Sequence, residues 1–89
     1  ERTTDTITFF PNPFDKSVTI RKGDNVIGDR IIIRDLLGRQ VKDLFFTGDE
    51  MVWDGTDATG LQAPVGIYLI SLLRDGKIIA SDKIVRATK

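Results

Sequence analysis

The chain of 89 residues contains no cysteine and no histidine. Without cysteine there are no disulfides and no thiolate metal sites. Small extracellular domains often rely on cross-links, so this one, if exported, must draw its stability from packing. Without histidine the commonest general base and the commonest metal ligand are gone. Neither a Ser–His–Asp triad nor an imidazole–zinc site can be assembled from this chain alone. An excess of charge of either sign is also lacking: 13 Lys and Arg balance 13 Asp and Glu. A dedicated nucleic-acid binder carries a basic surplus, so that class is disfavoured. No apolar run approaches the roughly 18 residues that span a bilayer as a helix. The opening "ERTTD" carries no signal-peptide pattern and reads as the start of an excised segment.

What is present is ordinary for one folded unit. A hydrophobic fraction of 40% and a charged fraction of 29% are typical of globular domains. The length fits a single domain over residues 1–89 with a thin core, burying about 60–65% of the unfolded surface. Patterning favours strands throughout. "TITFF" (Thr6–Phe10) has strand composition and is stopped by "PNPF", where Pro11 and Pro13 remove amide donors; this reads as a turn or an edge crossing. "SVTIR" (Ser17–Arg21) alternates, with Val18 and Ile20 on one face. "KGDNVIGD" over residues 22–29 is a loop. "RIIIRDL" (Arg30–Leu36) is a β-branched run that fits a buried strand. Gly38 stands where a tight turn needs positive φ, and Gln40–Phe46 follows as the partner strand of a hairpin. "EMVW" (Glu50–Trp53) is a further short strand. Asp75-Gly76 is a type I′ dipeptide between two apolar strands, Ile67–Leu73 and Lys77–Val85. No stretch has a capped 3.6-residue period. About seven short antiparallel strands predict an all-β, immunoglobulin-like sandwich, with Tyr68 where such folds often place a corner tyrosine.

"WDGTDATGLQAPVGIYLI" (Trp53–Ile70) looks like an acidic loop followed by a strand. Asp54 and Asp57, with Thr56, offer hard oxygens of the kind calcium prefers and form a weak calcium candidate. The spacing is not that of an EF-hand. The simpler reading is turn chemistry: Asp54-Gly55 and Thr59-Gly60 are turn dipeptides, and Asp57 can accept from amides two residues on. Read this way, Gly55, Gly60 and Gly66 permit tight backbone, and Pro64 stiffens the loop before the strand. Trp53 reads as core, with sugar stacking or partner anchoring as the sharper alternative. A carboxylate pair for glycoside hydrolysis needs a cleft that so thin a sandwich rarely offers. No nucleotide-binding glycine loop leads into a helix. The residues therefore point to no enzyme and no cofactor.

Four motifs in order, "FFPNPF" (Phe9–Phe14), "IIIRDLLGRQV" (Ile31–Val41), "WDGTDATGLQAPVGIYLI" (Trp53–Ile70) and "DKIVR" (Asp82–Arg86), resemble the C-terminal sorting domain of the type IX (Por) secretion system. They are also similar to the Ig-like domain of the flagellar hook-capping protein. The resemblance covers nearly the whole chain. It implies an Ig-like fold and a non-catalytic signal fused behind an N-terminal cargo in a Gram-negative cell. The implied partners are an outer-membrane translocon and a surface sortase that removes the domain. The implied route runs through the periplasm to the outer-membrane surface or beyond. Signal elements carried over from the family fall on Pro11, Asn12 and Pro13, on Gly66 and Tyr68, and on Lys83, Ile84, Val85 and Arg86. The last strand is expected near a sheet edge, with Lys83 and Arg86 supplying guiding charge. The alternative is a structural or carbohydrate-binding Ig-like accessory module of an extracellular enzyme or surface protein. A sorting signal must be C-terminal, so position in the full-length product separates the two.

Overall fold

Alternation of apolar and polar residues places one side of each strand in a shared core. A computed structural model describes residues 2, 3, 7–23 and 28–87. These residues form eight strands and no helix: β1 (Arg2–Thr3), β2 (Ile7–Phe10), β3 (Val18–Lys22), β4 (Arg30–Arg34), β5 (Gln40–Phe45), β6 (Glu50–Trp53), β7 (Gly66–Arg74) and β8 (Lys77–Arg86). Seven of them are the expected strands, and the two-residue β1 adds to the edge of one sheet. Thr6, and residues 24–27 of the expected loop, lie outside the described residues.

Two antiparallel four-stranded sheets result, ordered β1-β2-β3-β6 and β5-β4-β7-β8. The chain passes between sheets after β3, β5 and β6. Ile7 and Phe9, Val18 and Ile20, and Trp53 face inward from the first sheet. Ile31, Ile33, Tyr68, Ile70, Leu72 and Ile84 meet them from the second. Each such side chain, fully buried, contributes about 1.5–3 kcal/mol through removal of apolar surface from water.

Turn chemistry explains where the strands stop. β4 ends at Arg34, two residues earlier than its β-branched run suggests. The Asp35 carboxylate accepts from the amides of Leu37 and Arg39, each at 2.9 Å, and draws the chain into the turn that Gly38 completes at φ +84°. Between β7 and β8, Asp75 and Gly76 both have positive φ, 51° and 79°. That is the type I′ geometry, whose twist matches the strands it joins.

Candidate recognition site

The turn between β2 and β3 and the end of β8 come from opposite ends of the chain and meet at one rim of the sandwich. Proline lacks an amide N–H, so among Pro11–Phe14 only Asn12 and Phe14 have backbone donors to offer. The Phe14 amide donates to the Val85 carbonyl at 2.9 Å, and the Ala87 amide donates to the Phe14 carbonyl at 2.8 Å. Between them Phe14 and Arg86 form a parallel bridge. The Asn12 side chain supplies the remaining partner: its Oδ1 accepts the Val85 amide at 3.0 Å. The turn thus acts as a short extra strand that joins the first sheet to the last residues of the second. The peptide bonds before Pro11 and Pro13 are cis.

An aromatic cluster sits under this junction. Phe14 and Trp53 are buried with ring centroids 5.4 Å apart, and Tyr68 meets Trp53 edge-on at 5.5 Å. Both polar tips are satisfied locally. Trp53 Nε1 donates to the Thr56 carbonyl at 2.9 Å, and the Tyr68 hydroxyl donates to the Pro64 carbonyl. The tyrosine therefore reaches back a few residues upstream, as a corner tyrosine does. Desolvation holds the Tyr68 hydroxyl above the usual phenol range.

The loop from Asp54 to Gly66 wraps round this cluster. Asp54 Oδ1 accepts from the Thr56 amide and hydroxyl, at 3.1 and 2.5 Å. Asp57 Oδ1 accepts from the Thr59 amide and hydroxyl and from the Leu61 amide, at 2.9, 2.6 and 3.1 Å. Gly60 closes the inner turn by donating to the Asp57 carbonyl at 3.0 Å. The Thr56 hydroxyl is the main cause that holds the Asp54 carboxyl low, and the Thr59 hydroxyl does the same for Asp57. Among the described residues no three acidic side chains gather as a metal cluster.

Arg86 departs from the guiding charge expected of it. It is half-buried, and its Nη1 donates to the Ala63 carbonyl at 2.9 Å, inside the loop. Its Nε is buried without a partner. The guanidinium passes over Gly55, where a Cβ would stand 3.2 Å from Arg86 Nε and 2.7 Å from Gln62 Nε2. The residue type suggests a guiding charge, and nothing in "DKIVR" signals that the side chain turns back toward a loop between about twenty and thirty positions earlier. Lys83 does stay exposed, Ile84 is core, and Val85 is half-buried. Pro11 and Pro13 are exposed, with Asn12 half-buried between them. Gly66 pairs with Arg86, and Tyr68 pairs with Ile84. The family-derived positions therefore gather at one rim, together with Trp53, Gly55 and Pro64. Gly38 lies apart from them, at the tip of the β4–β5 hairpin.

β8 is an edge strand. Its last residues are covered by the turn at Asn12 and Phe14, and the Asp82 side chain accepts the Lys83 amide at 2.8 Å. Beside the rim, an open groove of about 490 Å³ runs between the β4–β5 hairpin and the Pro64–Ile67 segment.

A family model described as the secretion system C-terminal sorting domain matches residues 8–86. Among curated proteins none matches in sequence. Two solved structures share the fold. One is PorZ, described as an essential bacterial surface component of the type-IX secretion system of Porphyromonas gingivalis, with 21% identity and a TM-score of 0.73. The match covers 91% of this chain and 11% of that one. The other is dimeric latent PorU from Porphyromonas gingivalis, with 24% identity, a TM-score of 0.71, and coverage of 94% and 9%. The chain spans about a tenth of the length of either protein.

Proposed function

From the premise that this chain belongs to the family of secretion system C-terminal sorting domains, we infer that it directs an N-terminal cargo across the outer membrane by the type IX route. On this reading the domain performs no bond chemistry. It is a folded address, read by the translocon and then removed by a sortase at the cell surface. The observation that supports it best is the junction of Asn12 and Phe14 with Val85 and Ala87. Motifs about seventy residues apart in the chain form one rim, so a receptor meets both only when the domain is folded. Lys83 is an exposed charge beside that rim, on a strand whose edge can pair with a partner. The alternative of a sugar-binding module loses its natural platform, because Trp53, the sole tryptophan, is 0% exposed.

A reporter fused in front of this domain tests the proposal in a cell that possesses the type IX machinery. The intact fusion should reach the surface. Lys83→Glu should lower the exported fraction, because an exposed substitution ordinarily shifts stability by under about 0.5 kcal/mol and leaves the fold intact. Arg86 is unsuitable for this purpose, since its reversal would disturb the loop. An intact fusion held in the periplasm while the same cell exports its own substrates would overturn the sorting role.

A further inference from the structure

We propose that the outer face of the β5-β4-β7-β8 sheet is a second docking surface, for a protein segment that presents apolar side chains interspersed with carboxylates. Ile70 and Tyr68 in β7, Ile33 in β4 and Ile84 in β8 all point into the core. Their neighbours Ile67, Leu69, Arg34, Lys83 and Val85 must therefore point outward, because side chains alternate along a strand. Leu69 stands in register between Arg34 on one side and Lys83 on the other, and Ile67 stands beside Val85. Ile67 and Leu69 are 42% and 36% exposed. Val65, 51% exposed, carries the apolar surface on into the groove beside the rim.

Charge identifies the occupant. On this face Arg30 is bonded to Asp43 at 2.9 Å, whereas Arg34 and Lys83 form no ion pair among the described residues. A chain of zero net charge thus carries two surplus cations here, one on each side of an apolar residue. A second copy laid face to face would bring those cations against their own kind. A lipid surface gains only about 1 kcal/mol per basic residue, so two cations on a flat sheet bind it poorly. A partner strand or helix with acidic residues flanking apolar ones satisfies both features. Size sets the strength of the contact. Four strands about 4.8 Å apart and seven residues of about 3.3 Å span at most roughly 400 Å², and Ile32 and Ser71, paired on this face, are already buried. With an equal contribution from the partner, this falls below the roughly 1,200 Å² of stable complexes and suits a transient encounter. The face is argued from its own residues and does not rest on the sorting reading.

Nuclear magnetic resonance titration of the ¹⁵N-labelled chain is the test, with three probes: a synthetic peptide alternating Leu and Glu, one alternating Leu and Lys, and phosphatidylglycerol vesicles. Saturable shifts at Arg34, Ile67, Leu69 and Lys83 are expected with the Leu/Glu peptide, weakening with added salt. Affinity should fall roughly tenfold in the double variant Arg34→Glu/Lys83→Glu. Arg34→Gln/Lys83→Gln serves if the reversal disturbs folding, and amide dispersion reports that directly. Equal affinity for the two peptides, undiminished binding by the variants, or shifts confined to the open edge of β8 would overturn the proposal. Tighter binding to vesicles would assign the face to lipid, and a dimer in sedimentation would assign it to a second copy. None of these measurements requires export, so their failure leaves the sorting role standing, and a failed export assay leaves the face standing.

Discussion

Gly55 and Gly60 have nearly the same backbone, at φ +79° and +88°, but different surroundings. A Cβ at Gly55 would press on Gln62 and Arg86, whereas at Gly60 it would meet nothing within 4 Å. Alanine in a left-handed position costs about 1–2 kcal/mol at either site. Gly55→Ala should therefore lose more stability than Gly60→Ala in urea denaturation, by the cost of displacing two side chains. Equal losses would mean that the arginine moves aside freely and does not lock the loop to β8. Residue-level reading from sequence was uneven for the same reason. Trp53 and Tyr68 were legible because large aromatics in a strand pattern have few places to go but the core. Asp54 and Asp57 were legible as turn formers, since their chemistry acts within two to four residues. Arg86 was not, because its partner Ala63 is a backbone carbonyl, which every residue has and no motif marks.

The same contrast holds for the strands. Period-two alternation and turn dipeptides placed seven of them, and the buried pair Val18 and Ile20 follows from that alternation alone. Alternation says nothing about which strand lies beside which, so the parallel bridge of Phe14 to Arg86 had no local signal. The edge position expected for β8 is seen directly in the sheet order. What the sequence left open was how that edge is protected. Asn12 caps the Val85 amide with a side-chain oxygen where no strand is available. Asn12→Ala should leave this half-buried donor unpaired, at a cost of about 1–3 kcal/mol. Hydrogen exchange at the Val85 amide should speed up with it. Asn12→Asp keeps an acceptor at the same place and should restore most of the protection. Unchanged exchange in the alanine variant would show that Phe14 alone holds the strand end.

For the whole molecule, the balance of titrating groups sets the pH range over which the fold stands. The carboxyls of Asp54 and Asp57 lie below 3.8 in the fold, held there first by the hydroxyls of Thr56 and Thr59. At Asp35 desolvation works to raise the value, but the Arg39 amide and guanidinium and the Leu37 amide together outweigh it, and this carboxyl too is lowered. A group with a depressed folded pKa binds protons more readily when unfolded. Its contribution is present above the unfolded value near 3.8 and is lost as pH falls through the folded one. Tyr68 is shifted upward from 10.0 by desolvation, so its contribution is full below 10.0 and is lost as pH rises through the folded value. The melting temperature should therefore be level across the neutral range, fall below about pH 4 and fall again above about pH 10. Asp54→Asn/Asp57→Asn retains the Oδ1 acceptors and removes two of the three low carboxyls found among the described residues, so its acid decline should be shallower than that of the natural sequence. The same pair of residues decides the calcium question. Each has one oxygen already committed to its own loop, so calcium added at neutral pH should not raise the melting temperature. A calcium-dependent rise that disappears in the double asparagine variant would show that the remaining oxygens do bind the ion, and that the loop is a metal site as well as a turn.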